Sequence, residues 1–305
     1  VFSSSGVNPD DPTYLVIRNV QMLVLGSIAL VVFMSVPYTF WRRYSVHAVV
    51  LAMALLILVL IGPEWLSEEV KGAKRWLTLG DLPIGLQPSE FAKLAFILYL
   101  ADWCSTKGEK IRDFSNGLVP FGIMLGLLGG LVFIEPDMGT TLVIFSIGVT
   151  VYFVSGAAIL HMIGGLLLAA VGFSLAAVAA PYRLQRLLAF GGDVTDPTYA
   201  LGIGYHTVQS LLALGSGGIT GMGLGVSRQK FGWLPEQSTD AIFSVWGQEM
   251  GFIGALLMIT LFVAVAWRGY RVARRAPDGF GSLLATGVTT WIIFQSMLNI
   301  GAVSG

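Results

Sequence analysis

The residues from Trp233 to Phe243 read WLPEQSTDAIF and set two carboxylates and two hydroxyls directly before a long apolar run. Asp240 follows Ser238 and Thr239 and precedes a helix expected from near Ala241. It is placed either to cap that helix or to act as a general base on a rigid helix end. Glu249 lies nine residues further on, about 13 Å deeper and roughly two and a half turns around the helix. These two acids are therefore not a catalytic pair, and Glu249 is expected to pack against a neighbouring helix with a polar partner.

A second acid stands in LQPSEFAKLAF, where Pro88 suits a first helical turn and Ser89 and Glu90 favour its positive end. Glu90 and Lys93 are three residues apart and share a helix face. They form either a structural ion pair or a functional one just inside the outer membrane boundary, where ionisable groups are costly. IEPDMGTT makes a tight turn with Glu135 and Asp137 at its apex, and Asp137 is also placed to cap the helix that follows. Cations accompany these acids: Lys71, Lys74 and Arg75 in EEVKGAKRW, Arg183 and Arg186 in YRLQRLLAF. Headgroup contact accounts for Arg183. Arg75, Lys93 and Arg186 together with several carboxylates suit a substrate that carries a pyrophosphate and a hydroxyl that must lose a proton.

The elements that hold these residues are apolar. Of the 305 residues 55% are hydrophobic and 12% charged, with zero formal net charge. A soluble domain carries about twice that charged fraction, so an integral membrane protein is expected. The balanced charge offers no basic stripe for nucleic acid. Cys104 is the only cysteine, which excludes an intramolecular disulfide. Crossing about 30 Å of hydrocarbon takes roughly 20 helical residues. Runs approaching or exceeding that length fall at 14–37, 46–63, 87–103, 117–134, 138–156, 158–180, 241–267 and 279–300. The fold class is therefore all-α and polytopic, one transmembrane domain over 1–305. The opening VFSSSGV reads as the tail of an earlier helix and the closing NIGAVSG has no polar end, so both termini are expected to be truncated.

Loop charge orients the bundle. Arg42 and Arg43, then Lys107, Lys110 and Arg112, then Arg268, Arg271, Arg274 and Arg275 fall in three loops on one side by parity, which is the cytoplasmic side. Segments 64–86 and 181–240 then face outwards. The second is too long for a simple connection, and YALGIGYHTVQSLLALGSGG has a helical period, so short helices lying over the outer membrane face are expected there. GSGGITGMGLGVS follows no strand and reads as a flexible turn rather than a phosphate loop.

Taken together, KGAKRWLTLG, QPSEFAKL, EPDMGTT, GYHTVQSLLALGSGG and LPEQSTDAIFSVWGQEMGFIG resemble the SEDS proteins (shape, elongation, division and sporulation). The resemblance runs over essentially the whole chain in family order, and FGWLPEQSTD is more similar to the RodA members than to FtsW. It implies about ten transmembrane helices and peptidoglycan glycosyltransferase activity, polymerising lipid II outside the cytoplasmic membrane during elongation and shape maintenance. It also implies a class B penicillin-binding protein as partner. Under it Asp240 is the essential aspartate, while Glu90, Lys93 and Asp137 match the PSEFAK and EPD positions. Family members usually carry Phe where Ala241 stands, and a closing motif similar to PVTG and SYGGSS does not occur before Gly305.

The mechanism this implies is an inverting glycosyl transfer with Asp240 as general base. Arg75, Lys93 and Arg186 would stabilise the departing pyrophosphate, and Glu90 and Asp137 would orient Lys93 or, with Asp240, hold a divalent cation such as Mg or Mn. A lipid II flippase is the main alternative, since broken helices and intramembrane charge suit transport. A scaffold that only recruits a transpeptidase is another, and it leaves Glu90 and Lys93 unexplained. An intramembrane serine protease built on Ser216 and His206 is weaker, because His206 reads as an interfacial histidine.

Overall fold

A computed structural model describes residues 14–63, 66–70, 73–78, 85–178, 192–227, 229, 233–234 and 239–304. The segment holding Arg183 and Arg186, Lys71, and residues 235–238 lie outside them. The described chain is mostly helical: α1 (Tyr14–Ser35), α2 (Tyr38–Arg42), α3 (Ser45–Ile61), α4 (Pro88–Lys107), α5 (Val119–Ile134), α6 (Met138–Val154) and α7 (Ile159–Val178) are followed by α8 (Pro197–Leu201), α9 (Tyr205–Ser216), α10 (Ile242–Arg275) and α11 (Gly279–Ser304). Each expected apolar run carries one of the long helices. Among the described residues three segments, Phe114–Ile134, Ile242–Arg275 and Gly279–Ser304, are long and apolar enough on their own to cross a bilayer. The surfaces are apolar as well: Met34, Leu160 and Leu168 are 77%, 79% and 75% exposed, which only a hydrocarbon solvent tolerates on this scale.

The all-α expectation needs one correction. Residues 67–86 hold a three-stranded antiparallel sheet, β1 (Ser67–Val70), β2 (Ala73–Thr78) and β3 (Gly85–Leu86). Its register pairs Ser67 with Leu77 and Leu77 with Leu86, and shifts between Glu68 and Glu69. These strands are short and rich in charge, so no apolar alternation marks them. The ladder satisfies backbone groups that a loop over a membrane would leave to water.

The chain divides into two compact units. One comprises residues 36–170 and 265–295. Here α4 packs with α3 and α6, and α6 with α5, around a core in which Leu56, Phe96, Leu100, Leu128 and Ile144 are fully buried. Gly148 permits the close approach, since a Cβ there would stand 3.0 Å from Leu125 and 3.3 Å from Phe96.

The other unit comprises 1–35, 171–264 and 296–305. The short helices α8 and α9 lie in the long loop, as its periodicity predicts. Asp196 caps α8 by accepting from the Thr198 amide at 2.9 Å. Leu234, Ala241, Phe243, Val245 and Val303 form this unit's apolar cluster. Helix α10 is broken at Gly251, whose φ of 66° and ψ of −166° are not helical.

Candidate functional site

In the first unit the turn between α5 and α6 and the start of α4 carry the predicted acids and cations. Pro88 stands at the first turn of α4 as expected, with Gln87 extended before it. The Lys93 ammonium donates to Glu90 Oε1 at 2.8 Å and to Gln295 Oε1 at 2.8 Å. It also sits 4.9 Å from the Trp291 ring centre, a cation–π contact. Trp291 Nε1 donates to the same Gln295 oxygen at 2.7 Å, so one acceptor fixes both groups. Lys93 is fully buried while the Glu90 side chain is 43% exposed. Glu90 and Lys93 therefore do pair, and the cation is enclosed rather than presented. Gln295 and Trp291 are marked in the sequence only as two polar-edged residues four apart in an apolar helix.

Arg75 comes from β2 to the EPD turn. Its guanidinium donates to the carbonyl oxygens of Glu135 at 3.1 Å and Pro136 at 2.5 Å. Asp137 caps α6, accepting from the Thr140 amide at 3.0 Å, and its charge reaches both Lys93 and Glu135. Glu135 is 1% exposed, and neither carboxyl oxygen has a hydrogen-bond partner among the described residues. Burial pushes its carboxyl up to about 8, the Asp137 charge adds to that, and Arg75 opposes it. Arg75, Lys93, Glu90 and Asp137 are thus gathered by neighbouring elements of one unit. Arg186 lies outside the described residues.

In the second unit Asp240 lies exposed in the turn before α10, next to the fully buried Ala241. The Ala241 carbonyl closes the first turn, accepting from Ser244 and Val245 amides at 3.0 and 3.2 Å. His206 of α9 is within electrostatic reach of Asp240. Burial holds its imidazole below the usual value, and Asp240 partly offsets that. Ser216 donates to the Ala213 carbonyl at 2.9 Å and accepts from Gln248, so its proton is held by a backbone carbonyl and not by the base a protease nucleophile needs. Glu249 is 7% exposed beside the helix break.

For a divalent cation the described residues fit poorly: no three His, Cys, Asp or Glu side chains gather among them. Glu90 is taken by Lys93, and Asp137 by a helix cap.

Residues 1–305 match the family model of FtsW, RodA and SpoVE, described as a cell cycle protein. The chain is 40% identical to stage V sporulation protein E of Bacillus subtilis, over its whole length and 82% of that protein. It is 37% identical to the "Probable peptidoglycan glycosyltransferase FtsW" of Trichlorobacter lovleyi, over its whole length and 79% of that protein. Among solved structures it is similar to a chain of a peptidoglycan synthase complex that coordinates polymerization and crosslinking, with TM-score 0.78, 26% identity, and coverage of 100% of this chain and 83% of that one. It also shares the fold of the rod shape determining protein RodA of Thermus thermophilus, with TM-score 0.68, 24% identity, and coverage of 100% and 80%.

Proposed function

Because this chain belongs to the FtsW, RodA and SpoVE family of cell cycle proteins and is a peptidoglycan glycosyltransferase, we propose that it polymerises lipid II at the outer face of the cytoplasmic membrane, with Asp240 as general base. The eight long helices cross the membrane in this reading, and the lipid tail of the substrate stays in the bilayer. The observation that carries it is Asp240 itself, an exposed carboxylate on a turn whose next residue is fully buried in the α10 cluster.

A sugar hydroxyl is a poor acid, so its proton must leave during attack, and placement within about 3 Å matters more than a shifted pKa. The acceptor oxygen forms a bond to the donor's anomeric carbon as the proton passes to Asp240. The bond from that carbon to the pyrophosphate breaks, and the configuration inverts. Negative charge then grows on the leaving group, where Arg75, Lys93 and Arg186 are assigned to stabilise it. Lys93 does so through space from its enclosed position, oriented by Glu90. Asp137 orders the turn that Arg75 grips.

The partner in this reading is a class B penicillin-binding protein that cross-links the new strand. The synthase complex above, which couples polymerization to crosslinking, supports that choice. The FGWLPEQSTD stretch favours elongation, while the relatives named above carry the names SpoVE and FtsW. Rescue of cells depleted of their elongation polymerase, set beside rescue of cells depleted of their division polymerase, discriminates the two.

The test of mechanism is polymerisation of lipid II by the purified protein and by Asp240→Asn. Glycan chains from the parent alone, with equal melting temperatures, are the expected result. Full activity in the variant would refute the assignment, and chains from neither protein, even with the transpeptidase present, would favour a flippase or scaffold.

A further inference from the structure

The break in α10 leaves backbone groups that a continuous helix would satisfy internally. Such groups need partners wherever they are shielded from water. The loop after α9 supplies them. Met222 donates its amide to the Gln248 carbonyl at 3.0 Å and Gly223 to that of Glu249 at 3.1 Å. Phe252 and Ile253 in turn donate to the carbonyls of Gly218 and Ile219 at 2.9 and 3.2 Å. The two backbones meet so closely that a Cβ on Gly221 would lie 2.1 Å from the Glu249 oxygen, and one on Gly217 2.2 Å from that of Gly247. Loop and half-helix are therefore one joint.

Gln248 is the side chain inside that joint, 1% exposed. Its amide nitrogen donates to Ser216 Oγ at 2.8 Å and to Gln229 Oε1, and its oxygen accepts from Ser227 Oγ. Both amide protons and an oxygen lone pair of this buried amide are thus engaged, and leaving them unpartnered is costly. The three partners lie at the start and the far side of the loop. From there the chain runs on towards Asp240: the Leu234 amide donates to the Gln229 carbonyl at 2.9 Å, and Leu234 packs in one cluster with Ala241, Phe243 and Val245. Gln229, which Leu234 grips through its backbone, and the helix that follows Asp240 are both tied to this one amide.

We infer that Gln248 is a positioning residue for Asp240, locking the outer half of α10 to the 216–229 loop and so setting where the carboxylate stands. The inference rests on the reading of Asp240 as general base. Gln248 touches no substrate in this account; it acts through the segments it joins.

The experiment measures kcat and KM for lipid II in the purified full chain and its variants. Gln248→Leu keeps the bulk and removes all three bonds. A misplacement near 1 Å costs up to about 100-fold in rate, so kcat should fall by about 10- to 100-fold, with KM within about twofold. Gln248→Glu can accept from the Ser227 hydroxyl and from a turned Gln229 amide, and should recover kcat to within about threefold of the parent, a rescue that loss of packing alone does not produce. If Gln248→Leu does not fold, Ser227→Ala and Gln229→Leu each remove one bond and should lower kcat by about three- to tenfold. Parent-like kcat in folded Gln248→Leu, Ser227→Ala or Gln229→Leu overturns the inference, as does a rise in KM with kcat unchanged. Activity in Asp240→Asn, run alongside, would instead overturn the reading beneath it.

Discussion

Glu135 is the carboxyl least suited to its surroundings. It sits in the turn after α5 with both oxygens unpartnered among the described residues, while Arg75 spends its hydrogen bonds on the backbone carbonyls of the same turn. With its carboxyl pushed from an ordinary value of 4.5 to about 8, Glu135 is mostly protonated at neutral pH. The native state then holds a proton that the unfolded chain releases. Its stabilising effect is complete below about 4.5 and is lost as pH rises through about 8. The melting temperature in detergent should therefore fall between pH 5 and 8 more steeply in the parent than in Glu135→Gln, which is neutral throughout. Parallel slopes would mean that the carboxyl is solvated and ionised like any other. The residues around it were unevenly legible in the sequence. The Asp137 cap was legible, because a short acid directly before a helix is placed to accept from its first amides. The partner that encloses Lys93 is Gln295, 202 positions away, and no local pattern marks such a contact.

At the scale of elements, the joint between the 217–223 loop and α10 depends on backbone contact, which makes its glycines unequal. Gly221 has φ of 84° and would bring a Cβ within 2.1 Å of the Glu249 carbonyl. Gly215 lies in α9 with nothing within 4 Å of its Cβ position. Gly221→Ala should thus cost about 2–4 kcal/mol through strain and overlap, whereas Gly215→Ala should be neutral or stabilising by up to about 1 kcal/mol. Thermal unfolding of the two variants side by side checks this, and equal melting temperatures would show that the loop does not dock on the helix. Long apolar runs made the helices readable, since few other structures bury so many consecutive apolar residues. The helix end was harder: α10 continues through Arg268, Arg271 and Arg274 to Arg275, because arginine is a good helix former and charge alone does not stop a helix. The break at Gly251 was hidden, as MGFIG looks like any apolar helix that tolerates glycine.

For the molecule as a whole, the two compact units divide the candidate chemistry, with Asp240 and Gln248 in one and Arg75, Lys93 and Glu135 in the other. What assigns a side of the membrane to each loop is the clustering of Arg and Lys, a property of the entire chain rather than of any site. Cys104 is buried and is the only native thiol, so a cysteine placed elsewhere reports its own location. Val194, in the long loop before α8, is 45% exposed, and Glu109 is exposed in the 3₁₀ turn after α4. A membrane-impermeant maleimide applied to intact spheroplasts should label Val194→Cys at once and Glu109→Cys only after permeabilisation. The reverse pattern would put the Asp240 turn in the cytoplasm. Asp240 could not then act on a substrate presented outside. The labelling therefore tests the premise on which every catalytic assignment in the chain depends.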